Sequence, residues 1–258
     1  MAKKRRIRWD RVALVFLPVL LLILLIIVLH DDNGADKDGS SLIPGTVSSA
    51  DSEHSGAMPA QKSADEYVIV LDAGHGGGDG GCTNVDGTRL EKDDNLRIAL
   101  AVCDALQKYP HVRVEMTRTT DEFISLDDRC KLANDINADV FVSLHRNSAE
   151  SGSGIEIWVN SKDNSMDKRL AGYIMELLED VGISKNRGIR EGYRTTFDGD
   201  NYAVNRDTNM PSCLVEMGFM TSDTDNTYFD QRLDAYADAI ATGIMEYGGD
   251  LGIYDAGT

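Results

Sequence analysis

Two histidines, each placed directly after a short apolar run, are the residues in this chain best suited to chemistry. His75 follows YVIVLDAG and His145 follows ADVFVSL. A run of four to six β-formers closed by a polar turn reads as a buried strand carrying its histidine to the strand's C-terminal end. That edge is where open α/β sheets build their sites. Two acids are available to them: Glu91 in RLEKDDNL, opening the helix after a glycine-rich loop, and Glu216 in CLVEMGF, which ends a strand. A catalytic zinc takes three protein ligands from His, Asp, Glu or Cys and keeps one position open for water. His75, Glu91 and His145 are therefore candidate ligands, and Glu216 is a candidate general base. The other histidines have a plainer reading, His30 and His54 in a polar stretch and His111 in a turn after Pro110. The loop GHGGGDGG lacks the Lys and Ser/Thr of a phosphate loop and carries Asp79, which argues against nucleotide binding.

The elements needed to position these groups are visible as alternating patterns. Strands are expected at residues 67–71, 112–116, 140–144, 154–159 and 213–216. Helices are expected at 93–108 (Leu96, Leu100, Cys103, Leu106 inward), 125–137, 165–181 and 228–247. Ser125 with Asp128 suggests a capping box for the second helix, whose inward face would carry Leu126, Cys130 and Ala133. Gly182 should stop the third. Such alternation implies a layered α/β domain with a twisted, largely parallel sheet flanked by helices.

Ahead of this domain the composition changes twice. Residues 1–11 carry six basic side chains and one acid, and residues 12–29 form an eighteen-residue apolar run broken only by Pro18. About 20 such residues span a bilayer, and the run lacks a clear small-x-small cleavage site after it. We expect an uncleaved transmembrane anchor, with a cleaved signal peptide as the competing reading. The basic flank places the N-terminus in the cytoplasm and the remainder outside the cell membrane. Residues 30–66, rich in Asp, Ser, Gly and Ala, read as a disordered tether, so the catalytic domain would occupy 67–258.

Formal net charge is −17 despite the basic start, which argues against nucleic acid and other polyanions as partners. Cys82, Cys103, Cys130 and Cys213 contain no CxxC pair. Two disulfides in any of three pairings are open to them; free thiols are the expectation, since Cys103 and Cys130 fall on apolar helix faces.

Taken in order, DAGHGGGDGG, LEKDDNL, TRTTDEFISLDDRCKLAN, ADVFVSLHRN and LVEMGF resemble the zinc-dependent N-acetylmuramoyl-L-alanine amidases of the amidase_3 type, from residue 67 to about 247. The resemblance implies a phosphorylase/hydrolase-like fold and one Zn2+ per chain on His75, Glu91 and His145, with Glu216 catalytic. It also implies peptidoglycan as substrate, cut at the amide between the lactyl group of N-acetylmuramic acid and L-alanine. Asp72 and Asp79 would then orient His75, and Asn147, two residues past His145, would hold the His145 loop or a substrate carbonyl. Arg190 and Arg206 are candidates for carboxylates on the stem peptide. Arg118, Asp121 and Arg129 read as an ion-pair set that pins loops. Departures from the family pattern are Ser222 where Asn is usual and Asn205 where Leu is common. The segment after His145 is too short for the blocking helix of some cell-separation amidases, so no such autoinhibition is expected. Two rivals remain: a zinc carboxypeptidase, whose usual H-x-x-E pair is missing here, and an inactive tethered peptidoglycan-binding or regulatory domain, which would ordinarily have lost one of the four residues.

Overall fold

In the computed structural model of the chain, residues 62–63, 65–193 and 201–255 are described. Six strands form one sheet: β1 (Tyr67–Ala73), β2 (Val112–Met116), β3 (Val140–Asn147), β4 (Ile155–Val159), β5 (Asn186–Glu191) and β6 (Ser212–Phe219). Their order across the sheet is β2-β1-β3-β6-β4-β5. All pairings are parallel except β4 against β6. The sheet is thus mixed and mostly parallel. The near-continuous apolar runs of β1, β3 and β6 follow from burial on both faces.

Helices α1 (Glu91–Leu106), α3 (Ser165–Val181) and α6 (Leu233–Asp250) cover one face. Ile69, Leu71, Val142, Leu144 and Val215 point into that layer, against Ile98, Val102, Ile174 and Ile240. Two shorter helices, α2 (Leu126–Asp135) and α4 (Ala203–Arg206), lie on the opposite side. There Val68, Val70, Phe141, Leu214 and Trp158 meet Cys130, Ala133 and Val204. This second layer is small, so the C-terminal halves of β1, β3 and β6 are left for polar groups.

Several expectations change in detail. The strand ending before His145 runs on to Asn147, so His145 lies inside β3. The helix expected at 228–247 is two, α5 (Asp223–Gln231) and α6, divided at Arg232. β5 and α4 were not signalled by periodicity. Leu100 and Leu126 are exposed, because α1 turns Ile98, Ala99 and Val102 inward and α2 turns in Arg129, Cys130 and Ala133. The cap at Ser125 accepts from the Asp128 amide at 3.1 Å. All four cysteines are free thiols. The anchor and most of the tether lie outside the described residues, and among the described ones no helix is long and apolar enough to cross a membrane.

Candidate active site

Strand register brings the candidate residues to one face. In parallel pairing Asp72 lies beside Ser143, and His145 beside Glu216; in antiparallel pairing Glu216 lies opposite Glu156. Register partners share a face, here the one only partly covered by α2 and α4. The site therefore sits on this face of the sheet near the strand ends, and not beyond the edge alone. A cavity of about 570 Å³ opens there, lined by His75, Glu91, His145 and Glu216 among others.

His75 arrives on the loop after β1, with a left-handed backbone (φ 60°). Such a conformation costs of order 1–3 kcal/mol in a non-glycine residue and persists only when its surroundings hold it. They do. Arg129 donates to the carbonyls of His75 and Ala73, each at 2.8 Å, and Arg118 to those of Ala73 and Gly74 at 2.8 and 2.9 Å. Asp121 accepts from the Gly77 amide at 2.8 Å and from Lys92 at 2.6 Å. These three residues pin the loop as expected, but not by pairing with one another: Arg129 pairs with Asp72 and Asp121 with Lys92, and Arg118 holds carbonyls.

Glu91 opens α1, and its side chain is held from several sides. The Cys82 amide donates to Oε2 at 2.8 Å, and the Arg146 amide and Asn95 Nδ2 donate to Oε1 at 3.2 and 3.3 Å. The same Oε1 lies 3.2 Å from His75 Nε2 and 2.9 Å from His145 Nδ1. Asp79 takes the other nitrogen of His75, Nδ1, at 2.7 Å. That contact fixes the ring's orientation and leaves Nε2 to face the site. Among the described residues Asp72 makes no hydrogen bond to His75; it accepts from Thr117, Arg129 and Ser143 and so ties β1 to the residue after β2, to α2 and to β3.

Two glycines make the cluster possible. A Cβ on Gly74 would fall 2.2 Å from Cε1 and Nε2 of His145. One on Gly81, at φ +66°, would fall 2.6 Å from Glu91 Oε2 and 2.7 Å from His75 Cδ2. The cluster's electrostatics are cation-seeking. Burial opposes a charge on His75, but hydrogen bonds to Glu91 and Asp79 outweigh it and push its pKa up to about 9. Burial likewise opposes a charge on Glu91, yet its contacts with His145 and His75 hold the carboxyl far below the usual range. One atom from each of His75, Glu91 and His145 lies within 4.8 Å of the others. Two imidazoles and one carboxylate, with room for a fourth partner, is a donor set that fits zinc.

Asn147 donates to Glu156 at 2.8 Å and lines the neighbouring hollow, not the cavity of the cluster. Arg190 and Arg206 do not line this cavity; Arg206 pairs with Asp207 and lies at a separate hollow. Sequence reasoning missed Asp94, Arg146 and Glu156. Arg146 is buried in β3, donates to Asp94 and Asn226, and stacks on Phe229 at 4.3 Å. Its signal was a charged residue inside an otherwise buried strand. Glu156, 4% exposed, looked like the solvent face of an alternating strand.

Known proteins fit this geometry. The chain matches the Amidase_3 family, N-acetylmuramoyl-L-alanine amidase, over residues 69–246. It is 34% identical over 186 residues to the probable cell wall amidase LytH of Staphylococcus aureus, a match covering 70% of this chain and 58% of that protein. The chain thus spans less than two thirds of the length of such curated relatives. An N-acetylmuramoyl-L-alanine amidase from Clostridium difficile 630 superposes with a TM-score of 0.65 at 35% identity, covering 71% of this chain and 97% of that one. For the catalytic domain of CwlV from Bacillus (Paenibacillus) polymyxa the values are 0.62, 36%, 70% and 97%. The match across nearly the whole sheet and every element that carries the cluster shows that this chain belongs to the N-acetylmuramoyl-L-alanine amidase family, Amidase_3.

Proposed function

We propose that the protein is a peptidoglycan hydrolase that cleaves the amide between N-acetylmuramic acid and the L-alanine of the stem peptide. The observation that carries this reading is the convergence of His75, Glu91 and His145, with Glu216 beside His145, at the floor of one cavity. His75, Glu91 and His145 would hold one zinc ion. When bound, zinc polarises a carbonyl and acidifies water, bringing its pKa down to about 7 in known sites. Glu216 accepts a proton from the attacking water at its carboxylate and returns it to the nitrogen of the departing alanine. Asp79 keeps Nε2 of His75 turned toward the site, and Arg118 and Arg129 keep the loop in place. Glu216 is 6% exposed, so its carboxylate faces the cavity rather than bulk water.

The apolar run at 12–29, after six basic residues, supports a single-pass cell-membrane protein with a cytoplasmic N-terminus. The domain from residue 67 would then work outside the membrane, where peptidoglycan lies. The short connection from β3 to β4, which contains no helix, supports an enzyme without a blocking insert there. Digestion of peptidoglycan with the zinc-loaded protein, followed by mass spectrometry, tests the activity. Stem peptides bearing free N-terminal alanine are expected; release of single terminal amino acids, or of nothing, would overturn the reading.

A further inference from the structure

Beside the main cavity lies a second, of about 300 Å³, lined by Asn147, Ser148, Glu156, Trp158, Arg187, Arg190 and Phe219 with Ala149. The two adjoin: Ser148 lines both, and Trp158 in the second meets Tyr202 of the first edge-on at 5.6 Å. Its inner wall is built. Glu156 accepts from Asn147 Nδ2 at 2.8 Å, Trp158 Nε1 at 3.2 Å and Arg187 Nε at 2.8 Å, and Arg187 stacks on Phe219 at 4.9 Å. Arg187 and Glu156 therefore neutralise each other. Arg190 is different. It is the register partner of Trp158 on edge strand β5, so it shares the face that carries Glu156 and Glu216. It is exposed and has no ion-pair partner among the described residues. An uncompensated cation is thus set beside the reaction cavity of a strongly acidic chain.

Substrate chemistry decides what that cation would meet. In the muramoyl–alanine linkage the lactyl carboxyl is consumed in the amide, and the sugar is uncharged. Anionic groups close to the scissile bond are then carboxylates of the peptide. The opposite wall of the main cavity, with Phe123, Ile124 and Leu126, is apolar and suits a sugar ring better.

We propose that the second cavity is a subsite for a stem-peptide carboxylate, with Arg190 as its recognising cation. The subsite rests on the amidase reading and orients the substrate, with the peptide running over β4 and β5 and the glycan along the α2 side. An Arg–carboxylate pair gives orientation as well as attraction. The same geometry assigns no such part to Arg206, which is occupied by Asp207.

The test uses paired soluble muramoyl peptides that differ only in whether the α-carboxylate of the second residue is free or amidated. The zinc-loaded protein should favour the free acid roughly fivefold in kcat/KM, the scale of one solvent-accessible ion pair. Arg190→Leu should bring that ratio close to one through KM, and Arg190→Lys should restore part of it. Equal kcat/KM for the two substrates with the unaltered protein, or an unchanged ratio in Arg190→Leu, would overturn the subsite. Calorimetric binding of the free-acid tripeptide reads the subsite without turnover. Weaker binding by Arg190→Leu supports it even if neither substrate is cleaved, a result that would sink the amidase reading alone. Equal binding by both proteins overturns it.

Discussion

His145 and Glu216 are register partners on adjacent parallel strands, side by side on the face that α2 and α4 only partly cover. Neighbouring strands lie ≈ 4.8 Å apart, so the hydrogen-bond ladder of β3 and β6 sets the spacing between a candidate ligand and the candidate base. Neither position depends on a loop. Sites on strands are held more tightly than sites on loops, and the two residues keep their relation as long as the register holds.

Replacing Glu216 with Gln leaves shape and register intact and removes the proton acceptor. Turnover should fall by roughly 10²- to 10⁴-fold, while metal analysis still finds one zinc per chain. Turnover close to that of the unaltered protein would take Glu216 out of the mechanism.

Gly74→Ala places a methyl group within 2.2 Å of the His145 ring. The ring must move, and zinc affinity should drop by at least the roughly 10- to 100-fold typical of a disturbed ligand environment, with far-UV circular dichroism unchanged. Asp79→Ala should lower affinity by about the same factor through loss of the contact that orients His75. Competition with a chromophoric chelator measures both.

Arg146 ties β3 to α1 and α5 through Asp94, Asn226 and Phe229. Arg146→Met should strip a buried carboxylate of its closest cation, a change that costs about 3 kcal/mol. Urea unfolding would show it as a lower midpoint with a similar slope. A midpoint within error of the unaltered protein would mean that Arg89, at 2.8 Å from Asp94, suffices.

Burial pushes the Asp72 carboxyl up, but Arg129 and Ser143 outweigh it and hold its pKa below the ordinary value. A group depressed on folding adds stability above its unfolded pKa of about 3.9 and loses it as pH falls through the folded value. Asp72→Asn should therefore be less stable at pH 7, with the gap narrowing below about pH 4. Thermal melts across that window would show it, and a gap that stays constant with pH would contradict this account.

The local sequence determined much. The apolar runs at β1, β3 and β6, the spacing of α3 and its stop at Gly182, and the cap at Ser125 follow from periodicity and side-chain chemistry within a few residues of each site. The two histidines stood out at the ends of apolar runs and Glu91 at the start of the helix after a glycine-rich loop, a combination of metal-ligand types that each residue alone would not have signalled. Tertiary structure decided the rest, for a physical reason: long-range pairing leaves no local trace. The antiparallel entry of β4 beside β6 puts Glu156 opposite Glu216, yet alternation in IEIWV cannot tell a solvated glutamate from a buried one. Its burial is possible only because Asn147, Trp158 and Arg187 supply donors from elsewhere. In the same way Asp72 turned from His75 to Arg129, and Arg190 rather than Arg206 came to stand beside the cavity. Residue type fixed what chemistry was available; strand register and packing fixed which groups face one another.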